Sequence, residues 1–248
     1  MKLVALLAVL IAFAMASAAA AQPACETMEK SGVDFTVCRF DPAKDDIRLF
    51  NRAPDGEPFG SFDALKRQLW IDRHYLRFAM NGGMFERDLS PVGLYVENGI
   101  RLKAASTAKG WGNFHLLPNG VFALGGREAR IAETHRYLQS GFQADYATQS
   151  GPMLVIDGKI HPRFLPDSDS LKRRNGVGID GQGRVVFVLS RQPVRFYDFA
   201  TLFRDRLDCA NALFLDGTIS SVYQPDTGRN DRLFSLGPMI AVVGRAPD

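Results

Sequence analysis

Residues 176–187 read Gly176-Val177-Gly178-Ile179-Asp180-Gly181-Gln182-Gly183-Arg184-Val185-Val186-Phe187, and the fold turns on how this stretch is taken. Its first six residues spell G-x-G-x-x-G, a pattern that binds a dinucleotide when it follows a strand and opens a helix. Here the glycines run into Arg184-Val185-Val186-Phe187-Val188-Leu189, a β-branched and apolar run that suits a strand. Asp180-Gly181 between two apolar runs is a hairpin turn. The dinucleotide reading is set aside, and the stretch predicts two antiparallel strands.

The same signal recurs outward from there. Val92-Gly93-Leu94-Tyr95-Val96 meets Ile100-Arg101-Leu102 across Asn98-Gly99, and Met153-Leu154-Val155-Ile156 meets Lys159-Ile160 across Asp157-Gly158. Phe114-His115-Leu116-Leu117 is read as meeting Val121-Phe122-Ala123-Leu124 across Asn119-Gly120. Two helices stand against this background. One starts at a Ser61 cap and runs over 61–77, with Phe62, Leu65, Leu69 and Leu76 on one side. The other covers 197–207, with Phe199, Leu202, Phe203 and Leu207 inward. The fold class is therefore α+β: an antiparallel, hairpin-rich sheet packed with about two main helices in a single domain.

Residues 1–21 read as a signal peptide, with Lys2, an apolar run over 3–15, and Ala19-Ala20-Ala21 before Gln22. The folded domain is then 22–248, periplasmic or secreted, with no stable membrane insertion because no later apolar run is long enough to span. A net charge of +3, or about +2 without Lys2, does not suggest nucleic acid as a partner. With 46% apolar residues and 18 Phe, the chain can bury a core without relying on disulfides. Export makes one disulfide reasonable among the three cysteines. Cys25 and Cys38 flank a turn at Ser31-Gly32 and are the expected pair, leaving Cys209 as a buried thiol among apolar neighbours.

Hydrolase and metal signatures are absent. Ser150 lacks the G-x-S-x-G frame of a nucleophile elbow. The four histidines have no metal-ligand spacing, so no metal and no cofactor are expected. Three other segments share one design: a strand-like apolar run ending in small residues with one or two polar side chains. They are Phe78-Ala79-Met80-Asn81-Gly82-Gly83, Gln149-Ser150-Gly151-Pro152 and Leu215-Asp216-Gly217-Thr218-Ile219-Ser220-Ser221. A carboxylate at the end of a buried strand, as Asp216 is placed, is costly to desolvate unless paired or functional. Its plain alternative is an Asx-turn cap; that of Asn81 is a turn residue, and that of Ser150 a hydroxyl serving local backbone. Arg174 closes the charge run Lys172-Arg173-Arg174 and either points into the same pocket or lies on the surface.

Together these pieces resemble the phosphodiester glycosidase family, in a bacterial exported branch. The matching residues are Asn81-Gly82-Gly83-Met84-Phe85, Ser90-Pro91-Val92-Gly93, Gly112-Asn113-Phe114, Gln149-Ser150-Gly151-Pro152, Arg174 with Val177-Gly178-Ile179, and Leu215-Asp216-Gly217 with Ser220-Ser221, in the family's order. The resemblance implies hydrolysis of a sugar-1-phosphodiester in an envelope glycoconjugate, with the sugar C–O bond broken. Ordinary glycosidases use two carboxylates because an alkoxide leaving group needs a proton. A phosphodiester leaves as a weak base, so one carboxylate and one cation suffice. Asp216 is then the nucleophile or general base, and Arg174 the phosphate clamp. Asn81, Ser150 and Ser220 hold sugar hydroxyls or phosphate oxygens, and the amides of Gly82, Gly83 and Gly217 form an anion nest. Two alternatives remain open: a non-catalytic phosphoglycan binder on the same scaffold, and a phosphodiesterase that cuts P–O. The family's animal member carries a run of glycines where this chain has Gly217-Thr218-Ile219, which speaks for the binder.

Overall fold

The computed structural model describes residues 24–246; the expected leader lies outside the described residues. Three antiparallel sheets share one core. The first has seven strands, in the order Cys25–Lys30, Val33–Phe40, Val185–Ser190, Asn175–Asp180, Cys209–Asp216, Met153–Ile156 and Lys159–Ile160. The second has five: Arg229–Asn230, Val222–Gln224, His74–Asn81, Met239–Arg245 and Asp46–Phe50. The third also has five: Ile100–Lys103, Tyr95–Glu97, Tyr146–Ser150, Gly120–Gly125 and Glu128–Glu133.

Period-2 alternation explains why the sheets stack. In Cys209–Asp216, Leu213 and Leu215 point into the core shared with the other two sheets, while Phe214 points the other way. Phe187 stands where the sheets meet, 5.4 Å from the Phe78 ring of the second sheet and 6.2 Å from Phe122 of the third. Each sheet's outer face carries one helix. α1 (Phe62–Ile71) covers the second, α2 (Thr134–Gln139) the third and α3 (Phe196–Asp205) the first. The α+β class and the antiparallel hairpins are as the sequence indicates.

Two expectations are corrected. α1 begins on its Ser61 cap, whose hydroxyl accepts from the Ala64 amide, but ends at Ile71. Arg73 adopts φ +60°, which breaks the helix, and Leu76 belongs to the strand His74–Asn81. Its seven-residue spacing from Leu69, close to two helical turns, is coincidental. Asn119-Gly120 is not a hairpin turn either. Asn113–His115 is a single 3-10 turn, and Gly120–Gly125 instead pairs with Glu128–Glu133 across Gly126-Arg127. Asn119 is buried, donates to the Phe114 carbonyl and accepts from the Thr134 hydroxyl, so its amide is a core connector.

Cys25 and Cys38 face each other across the first two strands and form a disulfide. Cys209 is buried and free, and burial pushes its thiol up to about 12. No helix among the described residues is long and apolar enough to cross a membrane.

Candidate active site

The three segments singled out in the sequence end at one junction, one from each sheet. Asn81 ends His74–Asn81, Ser150 ends Tyr146–Ser150, and Asp216 ends Cys209–Asp216. The link between them is Asn175, first residue of the strand Asn175–Asp180 and register partner of Asp216. The Asn175 Nδ2 donates to Asn81 Oδ1 at 2.7 Å, and the Asp216 amide donates to Asn175 Oδ1 at 2.9 Å. Asn81 Oδ1 also accepts the Ser221 amide at 3.0 Å. Two backbone N–H groups therefore set which way both side-chain amides point, because an N–H must face an oxygen. The pair clamps the segment 216–221 at both ends. Ser150 adds a third hold, its hydroxyl donating to the Leu215 carbonyl at 2.9 Å.

Within that clamp the Asp216 carboxylate is half-buried. Its Oδ1 accepts the Gly217 amide at 2.5 Å and the Ile219 amide at 3.5 Å. Burial holds its pKa above the usual carboxylate value, and the amides of Gly217, Ile219 and Thr218 pull it partly back. The turn cap uses Oδ1 alone: among the described residues no side-chain hydrogen bond is made through Oδ2.

Arg174 is buried at 1% exposure. It precedes Asn175 and so points to the opposite face of the sheet, towards α3. Its Nε donates to the Val194 carbonyl at 2.8 Å and its Nη2 to the Ser170 carbonyl at 3.0 Å. The guanidinium lies 3.4 Å from the centre of the Phe196 ring. Among the described residues it has no carboxylate partner, and burial alone brings its pKa down to about 10. Arg174 remains a cation at neutral pH, desolvated and without a counter-ion.

The remaining candidates are tied in by the backbone. Gly82 donates its amide to the Pro238 carbonyl at 2.6 Å, and Gly217 gives its amide to Asp216, so two of the three amides expected in a nest already have protein acceptors. Gly83 sits at φ +143°, and a Cβ there would come within 2.8 Å of Thr148 Oγ1, which requires glycine. The Ser220 hydroxyl donates to the Gly217 carbonyl at 2.9 Å. A Cβ on Gly217 would meet the Arg173 carbonyl at 2.9 Å, so the segments bearing Arg174 and Asp216 touch.

Two buried polar residues were not singled out by sequence. Asn175 carried no signal beyond its place between Arg174 and the first strand glycine. Gln149 was quoted only as the neighbour of Ser150; its Oε1 accepts from the Leu94 and Ser106 amides at 3.0 and 2.9 Å, which hooks the loop 104–112 onto the junction. Four buried side-chain atoms have no partner among the described residues, Thr36 Oγ1, Asn230 Oδ1 and, close to this junction, Asn81 Nδ2 and Thr148 Oγ1. No cluster of three or more His, Cys, Asp or Glu able to hold a metal occurs among the described residues.

Against this geometry the comparisons with known proteins agree. The phosphodiester glycosidase family model matches residues 74–236, which include all four junction residues. The chain belongs to that family. An uncharacterized protein of Escherichia coli (strain K12), YigE, is 39% identical over 182 residues, covering 73% of this chain and 71% of that protein. The catalytic domain of zebrafish N-acetylglucosamine-1-phosphodiester alpha-N-acetylglucosaminidase, auto-inhibited by its pro-peptide, superposes with a TM-score of 0.64 at 13% identity, over 90% of this chain and 84% of that one. A putative exported protein of Burkholderia pseudomallei K96243 superposes with a TM-score of 0.56 at 12% identity, over 87% of this chain and 74% of that one. At such identities the structural likeness is one of fold.

Proposed function

We propose that this protein is an exported hydrolase that cleaves the C–O bond between the anomeric carbon of a sugar and a phosphodiester, in an envelope glycan or glycoconjugate. The reading is carried by one observation: a desolvated carboxylate, Asp216, and a buried cation without a counter-ion, Arg174, stand on touching segments at the ends of neighbouring strands. A buried charge left unpaired is unfavourable, and an anionic ligand relieves it. The planar guanidinium fork matches the oxygens of a phosphate.

Asp216 Oδ2 attacks the anomeric carbon or draws a proton from water that does so. The phosphate departs with the electron pair of the broken C–O bond, needs no general acid because it is a weak base, and is stabilised by the positive charge of Arg174 on the adjoining segment. Asn81 and Asn175 hold Asp216 in place, and Ser150 and Ser220 border the sugar. The zebrafish enzyme, whose name describes removal of a sugar from a phosphodiester, supplies the analogy for the substrate class. The exported neighbour and the disulfide support the location.

The test is incubation of the mature protein with the methyl phosphodiesters of glucose-1-phosphate and N-acetylglucosamine-1-phosphate in oxygen-18 water, followed by mass spectrometry. Label in the released sugar supports the proposal. Label in the phosphate identifies a P–O phosphodiesterase instead. Measurable binding without turnover of either diester points to the non-catalytic binder.

A further inference from the structure

Beside the start of the strand His74–Asn81 lies a cavity of about 1000 Å³. Asn81 closes that strand seven residues after His74 opens it, which places the cavity about 23 Å from the junction at the rise of a strand. The cavity exists because one edge of the strand is bare there. Met239–Arg245 pairs with the strand from His74 to Asn81, but on the other side Val222–Gln224 reaches only Ala79 and Met80. The register shift opposite Arg77 is a bulge, which bends the strand, and Pro225 then takes the neighbouring chain away into a 3-10 turn. Residues 74–77 therefore have no strand on that side among the described residues.

The walls around this edge are apolar and cationic. The last turn of α1 presents Trp70 at 68% exposure and Ile71 at 72%, the strand presents Tyr75 at 44%, and Phe40 and Cys25 close the far side. Lys66 and Arg67 add two exposed cations with no acidic partner among the described residues. Arg77 is taken up by Asp45, and the His74 Nδ1 by the Asp72 carbonyl. Asp226 is the one acidic side chain in the lining among the described residues.

We propose that this edge takes up an extended peptide segment of a partner protein as an added strand, with bulky apolar side chains in the cavity and a carboxylate against Lys66 and Arg67. A bare strand edge offers N–H and C=O groups at a fixed repeat, which an extended backbone matches. A small apolar ligand would fill the cavity and leave that edge unmatched. Two cations without partners, against one acid, favour an acidic segment. A second copy of this chain would bring its own Lys66 and Arg67 to the same edge, like charge against like. With the leader removed before Gln22, as the proposed export requires, only Gln22 and Pro23 precede Ala24 at the cavity wall, too few to cover the edge. The proposal does not rest on the proposed hydrolysis.

The experiment selects a phage-displayed library of random peptides on the mature protein, with Trp70→Ser/Ile71→Ser as the counter-target. The recovered sequences should carry bulky apolar residues at alternate positions and at least one Asp or Glu. As synthetic peptides they should bind the double variant about tenfold or more weakly, as the loss of two large apolar side chains implies. Lys66→Gln/Arg67→Gln should weaken binding and flatten its salt dependence. Ile100→Ser, equally exposed but outside the cavity, should bind as the wild type does. All variants should keep the wild-type melting temperature, since every altered side chain is exposed. Bound peptide should slow hydrogen exchange at amides within residues 74–77. N-methylation of one alternate set of peptide residues should abolish binding and of the other set should not, because only every second N–H of a strand faces one edge. Three results would each overturn the proposal: no peptide that prefers the wild type to the double variant, binding without exchange protection at 74–77, or binding that survives both N-methylated series. Light scattering that finds a dimer protecting the same amides would overturn it too, in favour of a second copy. None of these readouts needs turnover, so the proposal and the proposed hydrolysis fail separately.

Discussion

Asp216 and Arg174 are charged residues that the fold desolvates in opposite senses, and both shifts have consequences. Burial raises the Asp216 pKa, so the ionised form that the proposed attack needs appears at a higher pH than in an exposed aspartate. The acid limb of kcat/KM should therefore lie above that of an exposed aspartate, and Asp216→Asn should abolish turnover at every pH. The same shift fixes the sign of the stability effect. A folded-state pKa above the unfolded value favours the fold at low pH, and that contribution is lost as pH rises through the folded value. At neutral pH Asp216→Asn should melt at or above the wild-type temperature by differential scanning calorimetry, and a clear loss of stability would return Asp216 to a purely structural role. Arg174 is held by two carbonyls and an aromatic face, and in the proposed mechanism it also stabilises the phosphate. Arg174→Lys should thus do two things: lower the melting temperature, and weaken phosphodiester binding by about tenfold or more, as loss of a charged hydrogen bond of about 1.5–3 kcal/mol implies. Isothermal titration at matched folded fraction separates the two.

Elements were legible to the degree that their signals are local. The hairpins at Asn98-Gly99 and Asp157-Gly158 formed as read on two-residue turns, and the third closes over Gly181-Gln182-Gly183, because turn chemistry is decided within a few residues. The Ser61 cap is equally local, and Ser61→Ala should cost about 1 kcal/mol in urea unfolding. The end of α1 was misread because helix periodicity continues across Asp72-Arg73 while the backbone does not. α2 has only six residues, too few for a periodic signal. Asn119-Gly120 has turn composition, but a buried amide that satisfies Phe114 and Thr134 outweighs it. Asn175 belongs at this scale too, since a strand end becomes part of a site only through what its neighbours place opposite. Asn175→Ala leaves the Asp216 amide without its acceptor, costing about 1–3 kcal/mol. Urea unfolding should show that loss, with turnover of the methyl phosphodiester falling beyond what the lost folded fraction explains.

For the whole molecule the decisive fact is that three sheets, each too apolar on one face to stand alone, close on a common core. Phe187 contacts Phe78 and Phe122 across that junction, and Phe187→Ala should cost about 3–5 kcal/mol and loosen all three sheets together. A cooperative loss in hydrogen exchange across the strands His74–Asn81, Gly120–Gly125 and Val185–Ser190 would confirm that they share one core; loss confined to one sheet would refute it. By itself the sequence determined the antiparallel class, the Cys25–Cys38 pairing, the family and the three segments whose ends meet at one junction, because alternation, turn residues and ordered motifs are written along the chain. Only the tertiary structure decided that Asn175 joins Asn81 to Asp216, that Arg174 faces α3 with no acidic partner among the described residues, and that Gln149 holds the loop 104–112. Side-chain direction at a strand end depends on register and on what packs across the sheet, and residues 94 positions apart, as Asn81 and Asn175 are, meet only once the sheets have closed.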